Sequence, residues 1–184
     1  MKRIGLYGGS FNPCHVGHQA TILYALAVAQ LDELIVAPVY HHPYGKQLVD
    51  FNERLVMCQM LLEPFDQDNL TVSAIERENW ESGGKGLTVN AVKYLLNLRY
   101  LLDGERPHIV LIMGSDLRED IKKWEGIEEL TELCTAGWAS FFFVDRVDGI
   151  SSTAVREAIR QGKLVDRWLP KSIHDYVFKK GFYL

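Results

Sequence analysis

Short runs of branched and aromatic apolar residues alternate along the chain with longer stretches whose apolar positions recur every three or four residues. Runs of the first kind, at 3–8, 33–39, 70–75, 108–113 and 138–144, predict strands. Stretches of the second kind, at 18–31, 51–65, 88–102, 117–124, 152–161 and 171–180, predict helices. Strands separated by helices imply βαβ units, so the expected fold class is α/β, a doubly wound parallel sheet. The first predicted helix is apolar on nearly every side, through Ala20, Leu23, Ala27 and Leu31, and is expected to be buried against the sheet.

Breakers fall at Gly8-Gly9, His42-Pro43-Tyr44-Gly45, Ser82-Gly83-Gly84-Lys85-Gly86 and Asp103-Gly104-Glu105-Arg106-Pro107. The stretch 82–86 has ordinary loop length and reads as a loop rather than a linker. With 184 residues, 47% of them hydrophobic, one domain is expected over 1–184, ending in a helical segment from about residue 151.

A net charge of −4 without blocks of like charge argues against nucleic-acid and membrane partners and leaves small polyphosphate ligands open. Glycines interrupt the N-terminal apolar stretch too early for a signal peptide, and a cytoplasmic location is expected. Cys14, Cys58 and Cys134 match neither a disulfide framework nor a metal pattern; Cys58 and Cys134 read as core fillers, and Cys14 sits beside the first motif.

An open parallel sheet binds ligands outside the carboxyl ends of its strands, where strand order reverses. The segments leaving the first and fourth strands, 8–18 and 114–116, are therefore expected to face one crevice. The first reads Gly8-Gly9-Ser10-Phe11-Asn12-Pro13-Cys14-His15-Val16-Gly17-His18. Its glycines permit close backbone approach, the helix start offers unpaired N–H groups to an anion, and His15 and His18 can address one phosphate. The same pair also fits a metal site or a plain helix cap. Gly149-Ile150-Ser151-Ser152-Thr153-Ala154-Val155-Arg156 places three hydroxyls and a guanidinium at a second helix start. That suits a triphosphate, and read alone it is equally a good N-cap.

Together the two segments resemble the signatures of the His-x-Gly-His nucleotidyltransferase superfamily, and within it the chain is similar to bacterial nicotinate mononucleotide adenylyltransferases. The likeness extends to Phe51-Asn52-Glu53-Arg54-Leu55-Val56-Met57, Leu87-Thr88, Ile112-Met113-Gly114-Ser115-Asp116, Lys123-Trp124, Leu169-Pro170 and Gly181-Phe182-Tyr183. The resemblance implies a Rossmann-like nucleotidyltransferase fold and transfer of an adenylyl group from ATP, with its Mg2+, to nicotinate mononucleotide, giving deamido-NAD and pyrophosphate. It also implies roles for this chain's residues. His15, His18 and Lys46 act in catalysis, and Gly8, Gly9, Ser10, Phe11, Gly114, Asp116, Ser151, Ser152, Thr153 and Arg156 hold ATP. Asn12, Thr88, Trp124 and Arg118 serve the acceptor, Trp124 by stacking on the pyridine and Thr88 through nearby N–H groups that receive its carboxylate.

The chain departs from the family pattern in four places. Gly86-Leu87-Thr88 replaces the common Ser-Tyr-Thr, and Glu125 replaces an aromatic, putting a carboxylate where an acid acceptor would meet it. In Tyr40-His41-His42-Pro43-Tyr44-Gly45-Lys46 the lysine is displaced, and the stretch 135–151 is shortened. Of the other charged residues, Arg54 reads as a phosphate contact or an ion pair with Glu53 or Glu76, and Glu128, Glu129 and Glu132 as a solvated helix face. Rival readings are the same transfer to nicotinamide mononucleotide or a small ester such as phosphopantetheine, and a non-catalytic nucleotide-binding regulatory module.

Overall fold

In the computed structural model, which describes residues 1–42, 45–65, 67–145 and 149–184, five parallel strands form one sheet. They are β1 (Arg3–Gly9), β2 (Glu33–Pro38), β3 (Leu70–Val72), β4 (His108–Gly114) and β5 (Ala139–Val144), in the order β3-β2-β1-β4-β5. The helices are α1 (Val16–Val28), α2 (Phe51–Leu62), α3 (Ile75–Glu81), α4 (Thr88–Asp103), α5 (Ile127–Thr135), α6 (Ser152–Arg160) and α7 (Lys171–Lys180). The doubly wound α/β class expected from the sequence is the fold observed. Pro43, Tyr44 and residues 146–148, which belong to two of the departures noted above, lie outside the described residues.

Successive side chains of the longer strands enter two different cores. Leu34 and Val36 pack with residues of α1, α2, α6 and α7, whereas Ile35 and Ala37 pack with residues of α3, α4 and α5. Because both faces are covered, the strands read as continuous apolar runs rather than alternating ones. Gly5 marks a close approach, since a Cβ there would stand 2.6 Å from Leu31 Cδ1.

The chain lays β2 and β3 to one side of β1, then returns to lay β4 and β5 on the other. This reversal leaves an opening past the carboxyl ends of β1 and β4, because connections from these two strands depart in opposite directions.

Four local expectations are corrected. The third strand is three residues long instead of six, because the Ser73 hydroxyl accepts the Ile75 N–H at 3.2 Å and starts α3, a helix the periodicity did not reveal. In place of a helix over 117–124 there are two 3-10 turns, Ser115–Leu117 and Asp120–Lys123. Ile121 is the one buried residue of these turns, too little apolar contact to offset the cost of nucleating an α-helix.

Helix α1 begins at Val16 and buries a single stripe, Ile22 and Ala25, rather than all sides. Leu23, Tyr24 and Val28 are about half exposed and Ala27 is exposed, as befits a helix in an outer layer. Finally, Cys14 joins Cys58 in the core with the sulfurs 3.6 Å apart, while Cys134 is only half-buried. Burial pushes the Cys14 thiol well above its ordinary range, so it stays protonated.

Candidate active site

A cavity of about 800 Å3 opens at the strand-order reversal. Gly8, Gly9, Ser10, Phe11, His15 and His18 line one part of its wall, and of the segment 114–116 Gly114 lines another, followed by Leu117. Asp116, Arg118 and Asn12 stand outside that wall. Asp116 and Arg118 are exposed, and the Arg118 guanidinium lies 4.2 Å over the Phe143 ring.

The middle of the first motif is core rather than surface: residues 11–15 are all buried. Phe11 takes the left-handed backbone at φ 45, unusual for a side chain of its size, and is held there by ring contacts. Its ring meets Tyr7 edge-on at 5.4 Å and lies 4.9 Å from the His18 ring. Asn12 is structural in its contacts: Oδ1 accepts the Val49 N–H at 3.1 Å and the Tyr183 hydroxyl at 2.8 Å. At Gly8, by contrast, a Cβ would meet nothing within 4 Å, so the bare backbone there faces the open cavity.

His15 and His18 stack at 3.7 Å between centroids. His18 Nδ1 accepts the His15 backbone N–H at 3.0 Å, and a neutral imidazole accepting at Nδ1 must carry its proton on Nε2. The cap bond thus sets the tautomer that can donate to a phosphate oxygen. Gly17, between them, keeps the His15 ring close, because a Cβ would stand 3.0 Å from His15 Nδ1 and the ring would have to shift.

The second signature is bolted onto the first. Ser152 Oγ donates to the Pro13 carbonyl at 2.9 Å, and Arg156 Nη1 donates to the Asn12 carbonyl at 2.8 Å. Ser151 is the N-cap of α6, accepting the Ala154 N–H at 3.1 Å. Arg156 Nη2 donates to Thr153 Oγ1 at 3.2 Å. All four residues line the cavity, with the N-terminus of α6 and its positive end of the helix dipole beside the histidines. The N-cap reading is realised by Ser151, and the other residues of the segment line the cavity.

Buried Arg54 supports this end from behind. Its Nη1 donates to the carbonyls of Ser10 at 3.1 Å and Val39 at 2.7 Å, and its Nε to Val49 at 2.9 Å. The ion pair with Glu53 or Glu76 expected from the sequence does not form; Glu53 instead pairs with Lys180. Backbone carbonyls at the ends of β1 and β2 take the guanidinium because burial leaves it no water.

At the opposite end, Leu87 and Thr88 bring the N-terminus of α4 to the wall, where first-turn N–H groups lack intrahelical acceptors. Half-buried Trp124 and exposed Glu125 line the cavity as well. Lys46 and His42 complete the rim, and burial followed by the charges of Lys46 and Arg54 holds the His42 imidazole below its ordinary pKa. Glu128, Glu129 and Glu132 are solvent-exposed on α5.

Two residues were not legible as parts of this site. Glu76 lines the cavity although 7% exposed, and Tyr183 reaches Asn12 from 171 positions away. Tyr183 lies in a segment of the family likeness and Glu76 reads as an ion-pair candidate, but the burial of Glu76 and the reach of Tyr183 come from packing.

A family model described as cytidylyltransferase-like matches residues 6–158. A protein of Myxococcus xanthus named as a nicotinate-nucleotide adenylyltransferase is 31% identical over 190 aligned positions, covering 98% of this chain and 94% of the relative. Among solved structures, a Plasmodium falciparum nicotinic acid mononucleotide adenylyltransferase complexed with NaAD superposes with a TM-score of 0.77 at 18% identity. The match covers 100% of this chain and 98% of that one. A structure from Vibrio parahaemolyticus assigned as a nicotinate-nucleotide adenylyltransferase gives 0.75 at 19% identity, covering 100% and 96%. At such identities the superpositions speak for the fold.

Proposed function

Because the chain belongs to the cytidylyltransferase-like family, and within it to the nicotinate-nucleotide adenylyltransferases, we propose that it transfers the adenylyl group of ATP to nicotinate mononucleotide, giving deamido-NAD and pyrophosphate. The observation that carries this reading is the joining of both signatures around one cavity through the Ser152 and Arg156 bonds to the first motif. A histidine donor and two helix N-termini there meet a polyphosphate, and a third helix N-terminus faces the acceptor.

In the reaction an oxygen of the acceptor's phosphate forms a bond to the α-phosphorus of ATP as the bond to the bridging oxygen of pyrophosphate breaks. That phosphate has a second pKa of about 6, is mostly dianionic at neutral pH, and needs no general base. Magnesium enters and leaves with the substrate's phosphates. The protein contributes position and positive potential.

His18, through Nε2–H, and His15 stabilise the charge that gathers on the transferring phosphate. The Gly8-Gly9-Ser10 backbone lets the nucleotide approach closely, and Gly114 borders the adenosine. Thr153, Arg156 and the first N–H groups of α6 receive the β and γ phosphates, while Ser151 and Ser152 hold the helix end in place. Lys46 on the rim adds positive charge from the other side. Trp124 covers the pyridine, and the N–H groups at Thr88 receive its carboxylate. Asn12 acts by positioning the loop, and Asp116 and Arg118, exposed beside the wall residues Gly114 and Leu117, serve the adenosine and the acceptor from the edge of the cavity.

Side-by-side turnover with ATP and magnesium tests the reading, using nicotinate mononucleotide, nicotinamide mononucleotide and phosphopantetheine at neutral pH. The nicotinate ester should give the highest kcat/KM by pyrophosphate release. A higher value for either other acceptor overturns the substrate assignment.

A further inference from the structure

Glu76 is a buried acid for which adenylyl transfer, as set out above, has no use. It lies in the first turn of α3, in the cavity wall, and its Oε2 is buried with no hydrogen-bond partner among the described residues. One turn further along α3, Asn79 Nδ2 is buried in the same condition. Folds rarely keep unpaired buried polar groups, because each forfeits its hydration. A wall that faces a ligand cavity is where the missing partner can come from outside the chain.

The neighbours of Glu76 say which part of the ligand this is. Helix α3 packs against α4, whose first residues, Leu87 and Thr88, line the same cavity. Glu76 therefore lines the same cavity from a helix packed against α4, whose N–H groups are assigned above to the ring carboxylate. A carboxyl beside those donors is poor company for an anion unless it carries its own proton.

We propose that Glu76 determines acceptor specificity: protonated, it donates to the carboxylate of the acid acceptor, and ionised, it accepts from the carboxamide NH2 of the amide acceptor. This inference rests on the acceptor site described under the proposed function. Burial alone raises the Glu76 carboxyl to about 7, so the exchange of roles falls within the working range of pH.

The titratable and charged groups that share the cavity are His15 and His18 at the start of α1, His42 and Lys46 from the segment after β2, Asp120, Lys123 and Glu125 from the turn preceding α5, and Arg156 of α6. On the elements packed against α3, Lys93 and Arg99 of α4 pair with Glu129 and with Glu33 of β2. Arg77, next to Glu76 on α3, donates to Asn52 at 3.1 Å. None of these charges contributes to the Glu76 shift.

The test is the ratio of kcat/KM for nicotinate mononucleotide to that for nicotinamide mononucleotide, measured from pH 5.5 to 9. Titrations common to both reactions, those of the acceptor phosphate, His15 and His18, cancel in this ratio. In the wild type the ratio should fall by about tenfold or more as pH rises through about 7, since one pH unit is a tenfold change in protonation. In Glu76→Gln, which is permanently neutral, it should be flat, while Glu125→Gln should keep the wild-type slope.

A flat wild-type ratio overturns the proposal whether or not Glu76→Gln folds, and so does a slope that survives in Glu76→Gln. Absence of turnover with both pyridine acceptors overturns the functional reading and this inference with it. Turnover of the acid with a flat ratio overturns the role of Glu76 alone.

Discussion

The Tyr183 hydroxyl donates to Asn12 Oδ1 at 2.8 Å, joining the segment after α7 to the loop that leads into α1. Asn12 in turn accepts Arg156 on its carbonyl, so Tyr183, Asn12 and Arg156 form one connected support beneath the phosphate site. Burial pushes the Tyr183 hydroxyl well above its ordinary pKa, and it remains a donor throughout the working range.

Removing that hydroxyl with Tyr183→Phe should cost about 1 kcal/mol of stability, the usual net worth of one such bond. The loop, no longer fixed on this side, should bind ATP more weakly. The expected kinetic signature is a several-fold rise in KM for ATP with kcat nearly kept. Denaturant titration and initial rates check the two parts separately.

Arg54 presents a larger dependence, since Val39, Val49 and Ser10 all rely on its guanidinium for a buried carbonyl partner. Arg54→Met leaves these acceptors unpaired at about 1–3 kcal/mol each before relaxation. A loss of roughly 3 kcal/mol or more is expected, and Arg54→Lys should recover only part, because one ammonium cannot span the fork. The midpoint of urea unfolding measures both.

For His18 the expectation is the reverse balance, with small structural and large catalytic cost. His18→Ala loses the bond from the His15 N–H, a cap worth about 1 kcal/mol. It also loses the Nε2 donor, and kcat should drop by about 100- to 1,000-fold, as for a donor to a developing oxyanion. Turnover within a few-fold of wild type would remove His18 from the chemistry.

Glu76 links stability to pH with a definite sign. Its carboxyl ionises at about 7 when folded against an ordinary 4.5, so between those values the folded chain holds a proton that the unfolded chain has released. The contribution is fully present below about 4.5 and disappears as pH rises through 7, amounting to about 3 kcal/mol. Glu76→Gln should therefore be more stable than wild type at pH 8 and show little advantage at pH 4.5. Melting temperatures of the two proteins across that interval give the comparison.

Much of the frame was legible before any coordinates. Helix α7 was bounded correctly at Lys171 and Lys180, and α4 at Thr88, because amphipathic spacing and helix-start residues act over a few positions. The strands were located because burial on both faces leaves a continuous apolar run that nothing else in this chain imitates. Where local preference was weak, the reading failed: 117–124 has too few buried residues to hold an α-helix, and α3 begins on a serine cap inside what looked like a strand. Helix α1 was misjudged because apolar residues all around it do not reveal which stripe meets the sheet.

The sequence by itself determined the βαβ order, the strand-turn-helix that carries His15 and His18, and the family to which such a pair of signatures points. Those are properties of short stretches, where spacing and backbone preference suffice. Which atoms do which work was decided by tertiary structure. The sequence cannot say that Ser152 and one arm of Arg156 hold the first motif, since their partners lie 139 and 144 positions away. Nor can it tell that Arg54 serves carbonyls instead of an acid, or that Glu76 is buried in the cavity wall. A side chain's hydrogen-bond partners and its access to water depend on what the rest of the chain packs around it. The sequence-level feature His15-Val16-Gly17-His18 thus places two histidines in the cavity wall, and α3, packed against α4, carries the group proposed to choose the acceptor.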